Sequence, residues 1–127
     1  MVAAILPHGS PLRFVTEVVR DGVRWEARAR VEGGPAVSGG RIRPAYLIEI
    51  AVQAAAAGAG SLHGEAVSGV LVAVRGWRDL APVLVPAELT IVVIEDAILG
   101  SAARYSVEVS DGGRLVAQGS LQVQRDR

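Results

Sequence analysis

One carboxylate stands in an otherwise apolar run. In PAYLIEIAVQAAAAGAG, from Pro44 to Gly60, Glu49 is the one charged residue and Gln53 the one amide. Four residues apart, they share a helical face. A carboxylate shut away from water favours its protonated form, the state in which it serves as a general acid. The alternative for such a Glu is that it reaches the rim of a sheet or pairs with an Arg.

The stretch from Glu32 to Arg43 contains four glycines and reads as an irregular loop feeding the helix. First-turn backbone N–H groups, around Ala45 and Tyr46, are then expected to be open to a carbonyl oxygen or an anion. Arg41 and Arg43 flank this entrance, either as a solvated pair or as holders of a phosphate. His8, in LPHGSPL, reads as a turn or capping residue. His63 follows Glu49 by fourteen residues, about 20 Å along a continued helix, too far to share a site. No Ser-His-Asp set, metal-ligand cluster or phosphate loop can be assembled, so no metal and no cofactor is expected.

The elements that must position these residues are legible from periodicity. Runs from Phe14 to Val19 and from Val23 to Val31 read as strands joined by Asp21-Gly22, a type I′ hairpin signal. The second run alternates: Val23, Trp25, Ala27, Ala29 and Val31 face one way, and Arg24, Glu26, Arg28, Arg30 and Glu32 the other. Pro44 suits the first turn of a helix that continues to about Gly60, about 25 Å long. Apolar nearly all round, that helix requires burial on most sides. Further strands are expected over Gly69–Val74, Glu88–Glu95, Ala102–Val109 and Arg114–Val123, the last two joined by Asp111-Gly112-Gly113. The order gives an α+β fold, an antiparallel sheet curled round one long buried helix.

Composition narrows the function. With 127 residues, the chain fits one domain spanning 1–127. Thirteen basic and thirteen acidic residues cancel, unlike the basic excess of a nucleic-acid binder. The absence of Cys rules out disulfides and thiolate chemistry and fits a reducing compartment. No stretch reads as a signal peptide or a membrane span, so a cytoplasmic protein is expected, with no nucleic-acid or membrane partner.

Three segments, in order, resemble a family. LPHGSPLRFVTEV, YLIEIAVQAAA with its Glu-x-x-x-Gln, and GVLVAVRGWRDLAPVLVPAELTIVV are similar to the hotdog-fold 3-hydroxyacyl-carrier-protein dehydratases of the FabZ/FabA type. The chain looks most like the dehydratase-like proteins of aryl-polyene and related polyketide-type gene clusters. The resemblance implies that Glu49 is the acid and Gln53 its hydrogen-bonding neighbour at the substrate. It also implies a thioester substrate on an acyl carrier protein or CoA, and a dimer, homomeric or with a second hotdog chain, that builds an acyl tunnel between protomers. Arg41, Arg43, Arg75 and Arg78 are candidates to meet an acidic carrier or its phosphate.

The family's loop His falls at Pro35, and no His stands between Val31 and Arg43. Three functions remain open: a 3-hydroxyacyl-thioester dehydratase using Glu49 alone or with a partner's residue, a non-catalytic acyl-binding subunit of a heterodimeric dehydratase, and a hotdog thioesterase in which Glu49 activates water.

Overall fold

The computed structural model describes residues 2–4, 14–61 and 69–125. Both histidines, His8 and His63, lie outside them. Strands β1 (Val2–Ala4), β2 (Val15–Asp21), β3 (Arg24–Val31), β6 (Gly69–Asp79), β7 (Ala87–Leu99), β8 (Ala102–Asp111) and β9 (Arg114–Arg125) form one antiparallel sheet. Its order is β1-β2-β3-β7-β8-β9-β6. The helix α1 (Pro44–Ser61) lies on one face and makes its fullest contact with β2 and β3. The expected α+β architecture is present, and its strands run longer than periodicity alone marked, because β7 and β6 continue past their apolar centres.

Alternation places the core. Trp25, Ala27, Ala29 and Val31 are buried beneath the helix, with Leu89, Ile91 and Val93 of β7 and Tyr105, Val107 and Val109 of β8. Arg24, Glu26, Arg28 and Arg30 point to the outer face, where Arg30 bridges Glu32 and Glu88.

Two local expectations are corrected. Asp21 pairs with Arg24 in the ladder, so the first hairpin turns on Gly22-Val23, not Asp21-Gly22, and Val23 is exposed. Gly22, at φ 64°, takes the first central position, while Val23 keeps a negative φ. That is the type II′ requirement, not the type I′ expected. The β8–β9 turn, with both Gly112 and Gly113 at positive φ, has the type I′ pattern.

The second correction concerns the stretch before the helix. Instead of an irregular loop it holds a small hairpin, β4 (Val37–Ser38) with β5 (Arg41–Ile42), turned at Gly39-Gly40 with both φ positive. Those glycines allow a turn as well as break structure. The hairpin is pinned: Ile42 N–H donates to the Val83 carbonyl at 2.9 Å, Val85 N–H to Gly40 at 3.0 Å, and Ala36 is fully buried.

The helix is seated by three residues at its far end. Trp25 Nε1 donates to the Ala54 carbonyl at 2.9 Å, and its ring meets Tyr105 edge-on. Arg20, buried to 7% exposure, lies over the Trp25 ring and donates to the Gly58 carbonyl at 2.8 Å. A cation there faces the negative end of the helix dipole, which has no basic residue in its own last turn.

Candidate functional site

The sheet covers one side of α1. Leu47, Ile50, Ala51, Ala54, Ala55, Ala57 and Ala59 are buried, whereas Ala45 and Glu49 are exposed and Tyr46, Ile48, Val52, Gln53 and Ala56 are half-buried. At 100° per residue the latter set forms one continuous face. Burial on most sides holds, since only Pro44, Ala45 and Glu49 are exposed among the described α1 side chains, but the expectation that Glu49 is shut away from water is corrected: within one chain its side chain is exposed. Periodicity shows that an all-apolar helix must be covered, but not by which body.

Glu49 is nevertheless held. Gln53 Nε2 donates to its Oε1 at 3.3 Å. Oε1 of Gln53 accepts from the Phe14 backbone N–H at 2.8 Å and from that of Val15 at 3.4 Å. The amide thus ties the start of β2 to the acid one helical turn away. Phe14 also packs edge-on against Tyr46, with ring centroids 6.3 Å apart. The structure brings together Glu49, Gln53, Tyr46 and the Phe14–Val15 backbone. Phe14 and Val15 were not singled out from sequence, since main-chain groups 39 and 38 residues from Gln53 leave no local signal.

The helix entrance differs from expectation. Tyr46 N–H donates to the Arg43 carbonyl at 2.9 Å, so it is not open to a ligand. Ala45 is exposed at the start of the stripe that carries Glu49. Arg41 and Arg43 are both exposed, and neither makes an ion pair among the described residues.

Register turns Arg75 and Arg78 away from Glu49. They pair with Ser120 and Gln118, on the sheet face opposite the buried Ala117 and Leu121. They therefore point away from the helix. Arg75 lines a groove of about 330 Å³ on that outer face with Ser106, Glu108 and Ser120, and a second groove of about 310 Å³ there includes Arg28, Arg30 and Thr90. Neither reaches Glu49. Among the described residues no group of three or more His, Cys, Asp or Glu could hold a metal ion. No helix among them is long and apolar enough to cross a membrane.

No protein-family model and no curated protein sequence matches the chain. Solved structures do. The dehydratase heterocomplex ApeI:P from Xenorhabdus doucetiae superposes with a TM-score of 0.81 at 19% identity, over 96% of this chain and 88% of that one. A hypothetical thioesterase with coenzyme A from Streptococcus pneumoniae gives 0.67 at 18% identity, over 84% and 82% of the two chains. A thioesterase from Haemophilus influenzae gives 0.68 at 12% identity, over 86% and 76%. The likeness shows that the chain has a hotdog fold.

Proposed function

We propose that this chain acts on acyl thioesters as a dehydratase-type hotdog protein, with Glu49 as the acid/base group and a second hotdog chain completing the site. The observation that carries the reading is the hydrogen-bonded Glu49–Gln53 pair on a half-buried, otherwise apolar helix face. A second chain laid on that face would exclude water from around Glu49.

The edge strand β6 supports the two-chain assembly. It runs eleven residues, pairs only with β9 among the described residues, and exposes Leu71 and Val72. Such an edge invites a strand from another chain. The likeness to a dehydratase heterocomplex over nearly the whole chain favours a hotdog partner, and the coenzyme A bound by a thioesterase of the same fold favours a thioester ligand. Arg41 and Arg43, exposed beside the helix entrance, are the residues we assign to the phosphate of CoA or of a carrier-borne acyl group. Lack of Cys agrees with a cytoplasmic setting.

In the reaction, a 3-hydroxyacyl thioester loses its α-proton to a base, the C3–O bond breaks, and protonated Glu49 gives its proton to the departing hydroxyl, releasing water and the 2-enoyl thioester. With no His between Val31 and Arg43, the base comes from the second chain, or Glu49 serves at both steps. Where the partner supplies both groups, this chain is the non-catalytic acyl-binding subunit.

A second reading is favoured by the solvent access of Glu49 and by the thioesterases among the structural neighbours. There Glu49 takes a proton from water, the hydroxide attacks the thioester carbonyl, and the thiol leaves. Incubating the pure protein with a 3-hydroxyacyl thioester, alone and with a His-bearing hotdog partner, and following enoyl product and free thiol separately, tests all of these. Enoyl product from the single chain or the pair supports the dehydratase reading; thiol release replaces it with the thioesterase one; neither product refutes both.

A further inference from the structure

The backbone of Tyr46 has nothing left for a ligand, because its N–H is spent on the Arg43 carbonyl at 2.9 Å. Its side chain is placed otherwise. The ring is held edge-on against the buried Phe14, with centroids 6.3 Å apart and planes at 86°, while the residue stays half-buried. No hydrogen bond among the described residues engages its hydroxyl. A phenol so held has a fixed apolar body and a free donor at its tip. Tyr46 and Glu49 stand three residues apart on the same helix face, so their β carbons are about 5–6 Å apart. In a 3-hydroxyacyl thioester one carbon separates the carbonyl from the carbon that bears the hydroxyl. The groups that attend to the two must therefore be neighbours, which this spacing provides.

We propose that Tyr46 is a catalytic residue whose phenolic O–H donates to the thioester carbonyl oxygen beside Glu49. The inference rests on the reading of Glu49 as the acid/base group for an acyl thioester and adds the donor for the charge that the reaction builds. When the α C–H bond breaks, its proton goes to the base and its electron pair spreads onto the carbonyl oxygen, where the Tyr46 O–H meets it. The pair returns to form the C2–C3 double bond as the C3–O bond breaks, and the proton of Glu49 leaves with the hydroxyl as water. Tyr46 keeps its own proton throughout. In thioester hydrolysis the same oxygen carries the charge of the tetrahedral adduct, so the role of Tyr46 is common to both readings. A donor fixed in advance where charge develops is worth most once water is excluded.

Tyr46→Phe keeps the ring against Phe14 and removes only the hydroxyl. In the complete assembly its thermal midpoint should be native and its KM within about threefold, while kcat falls on the order of a hundredfold. A second readout needs no turnover. The ligand is a saturated acyl-pantetheine amide, and the control is an alkyl thioether of the same length, which has no carbonyl. The chain has two tyrosines, and Tyr105 lies in the core at 1% exposure, so with carbon-13 at tyrosine Cζ the resonance lost in Tyr46→Phe is that of Tyr46. It should move when the amide binds and stay in place with the thioether. Native kcat in Tyr46→Phe, or a resonance that answers both ligands alike or neither, overturns the proposal. If no product forms and the amide still moves the resonance, the reaction assigned to Glu49 fails by itself and the carbonyl contact of Tyr46 stands.

Discussion

Gly58 lies against the Trp25 indole so closely that a β carbon at position 58 would stand 1.9 Å from Nε1. This contact sets how near α1 comes to β3, and so the height at which Glu49 stands above the sheet. The glycine is required by approach, not by backbone conformation, since its φ is not positive.

Gly58→Ala should therefore destabilise the fold although Ala is the better helix former. The helix gains about 1 kcal/mol from propensity. The clash is with a large, fully buried ring that is also hydrogen-bonded to Ala54, so overpacking of about 3 kcal/mol prevails. Thermal unfolding should show a midpoint lowered by roughly 5–10 °C. An unchanged or raised midpoint would mean that the helix shifts at little cost.

Arg20→Met tests the same seat from the strand side. The guanidinium donates to the carbonyls of Gly22 and Gly58, both at 2.8 Å, and covers the Trp25 ring. Met keeps much of the packing and none of the charged donors, so a loss of about 2–3 kcal/mol is expected in urea unfolding. A loss below about 0.5 kcal/mol would make Arg20 a bystander.

Assembly should depend on β6. Val72→Lys places a charge on the exposed part of the edge strand, the means by which sheet edges resist pairing. Sedimentation should show a two-chain mass for the native protein and a one-chain mass for the variant. A native protein sedimenting as a single chain would contradict the two-chain assembly.

The sequence carried the frame of this structure further than its site. Strict alternation from Trp25 to Val31 and from Tyr105 to Val109 located the inner faces of β3 and β8, since a side chain's face in a strand follows from parity alone. Parity fails at bulges: the irregularity between Arg75 and Arg78 hid the fact that both arginines face outward. Glycines mislead in the opposite sense, because Gly39-Gly40 supports a hairpin where composition suggested only a break. For Glu49 the spacing to Gln53 was readable and its exposure was not, because an apolar helix looks the same whether its own sheet or a neighbour covers it.

Arg41 and Arg43 should matter to the carrier or phosphate end of the ligand and not to the chemistry. Reversing both to Glu is expected to raise KM for a thioester carried on CoA or on an acyl carrier protein by about tenfold while leaving kcat within a factor of about two. Steady-state kinetics with the complete assembly separates the two parameters. An unchanged KM would take both arginines out of the site.

The most direct test is Glu49→Gln in the complete two-chain assembly, with enoyl and thiol products and acyl-ligand affinity measured on the same preparation. The amide keeps the shape and cannot exchange a proton, so product formation should fall by about a hundredfold or more while acyl affinity stays within a few-fold of native. Native rates of whichever product the assembly makes would show that Glu49 is not the reacting group.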